Sequence, residues 1–156
     1  MEKFLENLYE AEKNLRTVDH MVYVTFPLLK DKRLLLKVIQ GIKEIITKCI
    51  TSILQYEYLY KRVNLYKEPK ENLRVFTEKC APRYKITKRE LDLISEVFAF
   101  VDKHKESPFE FMKGDKVVIL SNGMKPETLS IEKTKEFLIL AKDIFKKTKD
   151  EMESRL

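Results

Sequence analysis

The sequence predicts an all-α fold: an antiparallel bundle of four to five helices, two of them long and N-terminal, with a small β-hairpin before the C-terminal helix. Three observations carry this expectation. Apolar residues recur at alternating steps of three and four over long stretches, which lays a stripe along a helix. The second stripe is too wide for a simple two-helix seam and requires several neighbours. One short run, Lys116-Val117-Val118-Ile119-Leu120, is extended in character and leads into Asn122-Gly123, the strongest short hairpin signal.

The first stripe is Phe4, Leu8, Ala11, Leu15, Val18, Val22 and Thr25. Phe26-Pro27 is expected to end that helix, because a residue before proline is pushed out of helical geometry. After a turn at Leu29-Lys30-Asp31, a longer helix runs through Leu35, Val38, Ile42, Ile45, Cys49, Ser52, Tyr56, Leu59 and Val63, broadened by Ile39, Ile46, Ile50, Ile53 and Tyr60. The pattern breaks at Asn64. Pro69 and Pro82 punctuate the next stretch of chain, with a short helix expected over Glu71 to Lys79. Thr87-Lys88-Arg89-Glu90 has capping-box spacing ahead of Leu91, Ile94, Val97, Phe98 and Val101, and Ser107-Pro108 closes that helix. A two-stranded ribbon is expected near 116–129, with Pro126 on its edge. Ser130 then caps a last helix whose stripe is Ile131, Thr134, Phe137, Leu138, Ala141 and Phe145.

No repeat and no linker divides the 156 residues, so one domain over 1–156 is expected. Apolar residues at 44% suffice for a core, which argues against disorder even with 36% charged residues. Low glycine, no tryptophan and a bias toward Lys, Glu and Ile are similar to the composition of many heat-adapted proteins. The two cysteines, Cys49 and Cys80, form no CxxC, and His20 and His104 stand at no zinc spacing to them. Neither a metal site nor a disulfide framework is expected, and that usage suits a reducing cytosol. The charged N-terminus does not read as a signal peptide, and no apolar run approaches a membrane span, so the expected location is cytoplasmic with no membrane partner.

Charge is concentrated. Between Lys61 and Arg89 stand ten basic residues (Lys61, Arg62, Lys67, Lys70, Arg74, Lys79, Arg83, Lys85, Lys88, Arg89) against Glu68, Glu71 and Glu78, a net +7. The whole chain is +6, so this segment holds the entire surplus. Tyr56, Tyr58, Tyr60, Tyr66 and Tyr84 lie in or beside it. Cations neutralise phosphates without reading sequence and exposed rings stack on unpaired bases, so the pattern suits RNA or another anionic partner. The candidate contact residues are Lys61, Arg62, Tyr66, Arg74, Arg83, Tyr84, Lys85, Lys88 and Arg89. A merely solvated or protein-facing surface has the same composition.

Three further polar positions stand out. Asp19 and His20 interrupt the first helix, where a histidine beside a carboxylate suits proton transfer or simply a boundary hydrogen bond. His104 precedes Ser107-Pro108, and a helix C-terminus favours it through the dipole. Glu57 falls on the line of Ile46, Ile50, Ile53 and Tyr60, where an ionised carboxylate must be paired; Arg16, Arg62 or a tyrosine hydroxyl are the expected partners. There is no P-loop, GxGxxG, GxSxG, HExxH or acidic metal cluster, and nothing implies a cofactor.

Arg16 to Leu36 and His104 to Ser130, together 48 residues, resemble a family of small archaeal helical proteins. More distantly, the long helical hairpin is similar to the HEPN (higher eukaryotes and prokaryotes nucleotide-binding) bundles, many of which are dimeric ribonucleases. That resemblance implies bundle topology and dimerisation. The family's Arg-to-His ribonuclease spacing is four to six residues, whereas Arg16 and His20 have three between them and His104 has no Arg at that spacing. The leading expectation is a non-enzymatic binding module for an anionic partner such as RNA. A metal-independent ribonuclease using His20 or His104, and a protein-facing scaffold or complex subunit, are the alternatives.

Overall fold

The computed structural model describes residues 2–106, 109–113, 116–120 and 126–154. The fold is all-helical with a small antiparallel sheet before the last helix: α1 (Lys3–His20), α2 (Phe26–Leu29), α3 (Leu34–Leu59), α4 (Pro69–Val75), α5 (Lys88–Glu106), β1 (Phe109–Lys113), β2 (Lys116–Leu120), β3 (Pro126–Ser130) and α6 (Ile131–Glu153).

Side-chain contacts fix the helix directions. Ser52 Oγ donates to the Phe4 carbonyl at 2.7 Å, and the Phe4 and Tyr56 rings meet edge-on at 5.0 Å, so the start of α1 lies on the end of α3. Lys142 on α6 reaches Asp19 at the end of α1, and Lys147 on α6 reaches Glu90 at the start of α5, both at 2.5 Å. Lys43 meets Asp102. Helices α1 and α5 therefore run opposite to α3 and α6. The core between them is aliphatic, built on Leu35, Ile39, Ile42, Ile45, Ile46 and Ile53 of α3.

Pro27 does not break its helix, and Pro82 follows the close of another. Between α1 and α2 the backbone makes one π-helical turn over Met21–Thr25, and Phe26 stays helical at φ −61°, ψ −46°. A second π turn spans Phe76–Cys80 after α4 and precedes Pro82, with Ala81 at φ −53°, ψ −46°. In a regular α-helix proline lacks the N–H that would reach the carbonyl four residues back, and its ring collides with that carbonyl. Those carbonyls belong to Tyr23 and Glu78, the middle residues of the two π turns. The wider turn, in which the Phe26 and Ala81 N–H groups bond five residues back to Met21 and Phe76, relieves the collision. The expected end at Phe26-Pro27 is thus corrected to a wide turn, with Phe26 packed against the core, whereas Pro82 stands as expected just beyond a helix that closes at Cys80.

Helix ends obey local chemistry. Thr87 and Glu90 form the expected capping box, Glu90 N–H to Thr87 Oγ1 at 3.2 Å and Thr87 N–H to Glu90 Oε1 at 2.9 Å. Ser130 Oγ accepts from the Lys133 N–H at 3.1 Å. The end of α3 is a Schellman turn: Arg62 N–H bonds the Glu57 carbonyl at 2.9 Å and Lys61 N–H bonds that of Tyr58 at 2.9 Å. The chain after Pro82 closes the same way, Ile86 to Ala81 and Lys85 to Pro82. Both turns place lysine, Lys61 and Lys85, at φ 60°, where a Cβ crowds the backbone and glycine is preferred. Lys61→Gly and Lys85→Gly are each expected to raise stability by about 0.5–1 kcal/mol, read from urea midpoints. Destabilisation by both would contradict the account.

The expected antiparallel pair, β2 with β3, is present, and β1 extends it to three strands. Strand β2 is central, with Phe111 opposite Val118 on one side and Thr128 opposite Val118 on the other. Pro126 opens edge strand β3, as its missing donor requires. Val117, Val118 and Leu129 are buried. The Asn122-Gly123 turn and Ser107-Pro108 lie outside the described residues. No described helix is long and apolar enough to cross a membrane.

Candidate functional site

The end of α3 and the segment after it carry the most concentrated polar chemistry. Glu57 is only 1% exposed, on the core-facing side of the last turn of α3. Its Oε2 receives Arg62 Nε and, at 3.1 Å, Arg83 Nη1, and its Oε1 accepts from the Tyr84 hydroxyl at 2.9 Å. The Schellman turn explains the first contact. It brings the residue after the left-handed position back over the third residue from the helix end, a place usually filled by an apolar pair. Here that pair is Arg62 and Glu57. Arg83 and Tyr84 arrive from the helical turn after Pro82, so one carboxylate ties α3 to the chain beyond α4.

Burial pushes the Glu57 carboxyl upward, but the hydrogen bonds from Arg62 and Tyr84 and the charges of Arg62 and Arg83 together outweigh it. The net direction is down, and Glu57 stays ionised. The Arg62 guanidinium also lies over the rings of Tyr60 and Tyr56, at 5.1 and 5.7 Å. Cys80 is buried nearby, and burial, with the Glu57 charge second, pushes its thiol up to about 11. Cys49 is likewise buried, pushed up to about 12 by burial despite a hydrogen bond with Thr148. Neither is a reactive thiolate.

This geometry revises several expectations. Glu57 is the buried, paired acid that its sequence position implies, held by Arg62 and a tyrosine hydroxyl. Arg16 is not a partner, since it pairs with Glu12 at 2.8 Å on the surface. Sequence position alone assigns Arg83 to the basic surface and gives no sign of its bond to Glu57. Tyr84 is corrected outright: it is buried, with its hydroxyl on Glu57, and presents no ring face to a base.

The remaining basic positions face water. Lys61, Lys67, Lys70, Lys79, Lys85, Lys88 and Arg89 are exposed and have no ion-pair partner among the described residues; Arg74 pairs with Glu71 at 2.7 Å. Tyr58, Tyr60 and Tyr66 are about half exposed. Tyr66 is held by Asn72, whose side chain accepts from its N–H at 2.8 Å and donates to its carbonyl at 2.7 Å.

The histidine candidates lie elsewhere. Asp19 is committed to Lys142, while His20 is exposed with Nδ1 3.4 Å from Thr25 Oγ1. Lys142 and Lys135 also lie over the ring of Tyr23, at 5.4 and 5.5 Å. His104 is half-buried in the last turn of α5. Among the described residues no group of three His, Cys, Asp or Glu side chains is placed to hold a metal. No family model, no curated protein and no solved structure matches the chain.

Proposed function

We propose that the protein is a non-enzymatic binding module whose Lys61 to Arg89 surface takes an anionic partner, single-stranded RNA being the one its chemistry suits. The observation that carries this reading is the conjunction of half-exposed Tyr58 and Tyr66 with cations, Lys61, Lys67 and Lys70, that no carboxylate among the described residues neutralises. Such cations are free to meet phosphates, and exposed rings accept any base. Arg62 and Arg83 support the surface from below by gripping Glu57, with part of each side chain left in water.

Fluorescence anisotropy of labelled single-stranded RNA tests it. Binding at about 50 mM salt should weaken steeply as salt rises, and each lost phosphate contact should lower the log–log slope by about 0.7. Reversing Lys67, Lys70, Lys85, Lys88 and Arg89 to glutamate should abolish it; Arg62 and Arg83 are left intact because they hold the fold. Tyr58→Ala and Tyr66→Ala should each cost about 1–3 kcal/mol if their rings stack. Absent binding at low salt, or binding indifferent to the five reversals, refutes the proposal.

A protein-facing scaffold or homodimer is the second reading, favoured by Val24, Leu28 and Leu29, which project into water at the opposite end of α3. Light scattering that gives twice the chain mass, and returns to one with Leu28→Glu, supports it. The nuclease alternative draws less support, because Arg16 and Asp19 are engaged with Glu12 and Lys142.

A further inference from the structure

A groove of about 500 Å³ runs between α3, residues 65–73 and α5. Its floor is Ile50 and Leu54 of α3, and its walls are Leu65, Leu73 and Phe98. Leu65 and Leu73 keep 38% and 39% of their surface in water although each faces this hollow. Twelve residues line it; two are lysines, Lys43 and Lys70, and none is acidic. The Asn72 bridge to the Tyr66 backbone fixes the outer rim, so the groove is formed without a ligand.

Size, lining and charge select the occupant. The volume lies within the roughly 300–1,000 Å³ of small-molecule sites. Several groups able to read a nucleobase are already engaged, although the Thr47 and Thr51 hydroxyls also line the hollow. The Phe98 ring carries Lys43 at 5.5 Å, both ends of the Asn72 amide serve Tyr66, and the Gln55 carbonyl accepts from Asn7. An aliphatic trough with cations at its edge remains open. Lys70 has no ion-pair partner among the described residues, while Lys43 is shared with Asp102 at 3.2 Å.

We infer that this groove binds a single-chain aliphatic carboxylate, its chain along Ile50, Leu54, Leu65 and Leu73 and its carboxylate on Lys70, with Lys43 second. The site is independent of the RNA reading apart from Lys70.

Decanoate, kept below its micelle concentration, is the probe, with decanamide as its uncharged counterpart. Both are titrated into the full chain by displacement of anilinonaphthalene sulfonate, together with melting curves. Decanoate should bind saturably, raise the melting temperature and bind at least tenfold more tightly than decanamide. Leu65→Gln and Leu73→Gln, at positions open enough to leave the fold intact, should each weaken decanoate at least tenfold. Lys70→Gln should erase the preference for decanoate over decanamide. Reversal of Lys85, Lys88 and Arg89 should leave decanoate affinity unchanged, which separates this site from the RNA surface. No saturable binding, or equal affinity in wild type, Leu73→Gln and Lys70→Gln, overturns the inference.

Discussion

Replacing Arg62 and Arg83 together by glutamine is expected to cost about 3–5 kcal/mol of folding stability at neutral pH, the largest effect of any change outside the aliphatic core. Removing the cations leaves Glu57 ionised at 1% exposure without the two guanidinium charges that balance it, and an uncompensated buried charge is strongly destabilising. Glu57→Gln should cost less, about 2 kcal/mol. The arginines it abandons have side chains 31% and 41% exposed and recover solvation, which discounts the loss. Urea denaturation of the three proteins checks the order.

The pH dependence makes the same claim with a sign. In the wild type the folded Glu57 carboxyl lies below its ordinary value of 4.5. Its contribution is therefore complete above about pH 4.5 and is lost as pH falls through the folded value. In the double variant burial is no longer outweighed, so the folded value rises above 4.5 and protonation relieves the strain. The variant's deficit relative to wild type should shrink as pH falls from 7 toward 4. A deficit that is flat, or that grows on acidification, contradicts the cluster as described.

Gly41→Ala is expected to destabilise the protein by about 1–2 kcal/mol, although alanine in a helix interior is ordinarily about 1 kcal/mol better than glycine. A Cβ built at Gly41 meets Val18 Cγ2 at 2.6 Å, closer than real Cβ contacts come. That methyl sits on a β-branched side chain whose rotamer is restricted, so it yields only if α1 moves away from α3. Shortening the obstacle tests the geometry. In a Val18→Ala background, itself destabilised by the lost methyl groups, Gly41→Ala should become neutral or stabilising. A double-mutant cycle reads the coupling, and a wild-type background that tolerates Gly41→Ala without loss sinks the close-approach account.

The helices are legible in the sequence because their evidence is local. Phe4, Ala11 and Val18 repeat at helical spacing and are all buried, as are Leu35, Ile42, Ile45 and Cys49. Caps at Thr87 and Ser130 are legible for the same reason. Glu57 is recognisable as a buried acid from its place among Ile46, Ile50 and Ile53, since one helical count decides it. Its partners split by distance: Arg62 is five residues away, whereas Arg83 and Tyr84 lie 26 and 27 residues on, beyond a chain reversal that no local pattern encodes. Tyr84 misleads because a tyrosine among lysines has the composition of an exposed ring, and only a buried acceptor distinguishes it. The groove leaves no sequence signal, since Leu54, Leu73 and Phe98 come from three separate elements.

The two wide turns amount to single-residue insertions that a helix has absorbed without parting. An added residue advances the angular phase by about 100°, so everything downstream presents a different side to the bundle. An uninterrupted count from Val18 and Val22 would aim Leu29 inward; after the Met21–Thr25 turn, Phe26 takes the inward place and Leu28 and Leu29 look outward. The rod thus outlasts its own buried seam by one turn and ends as an apolar overhang, produced by a proline that was accommodated instead of obeyed.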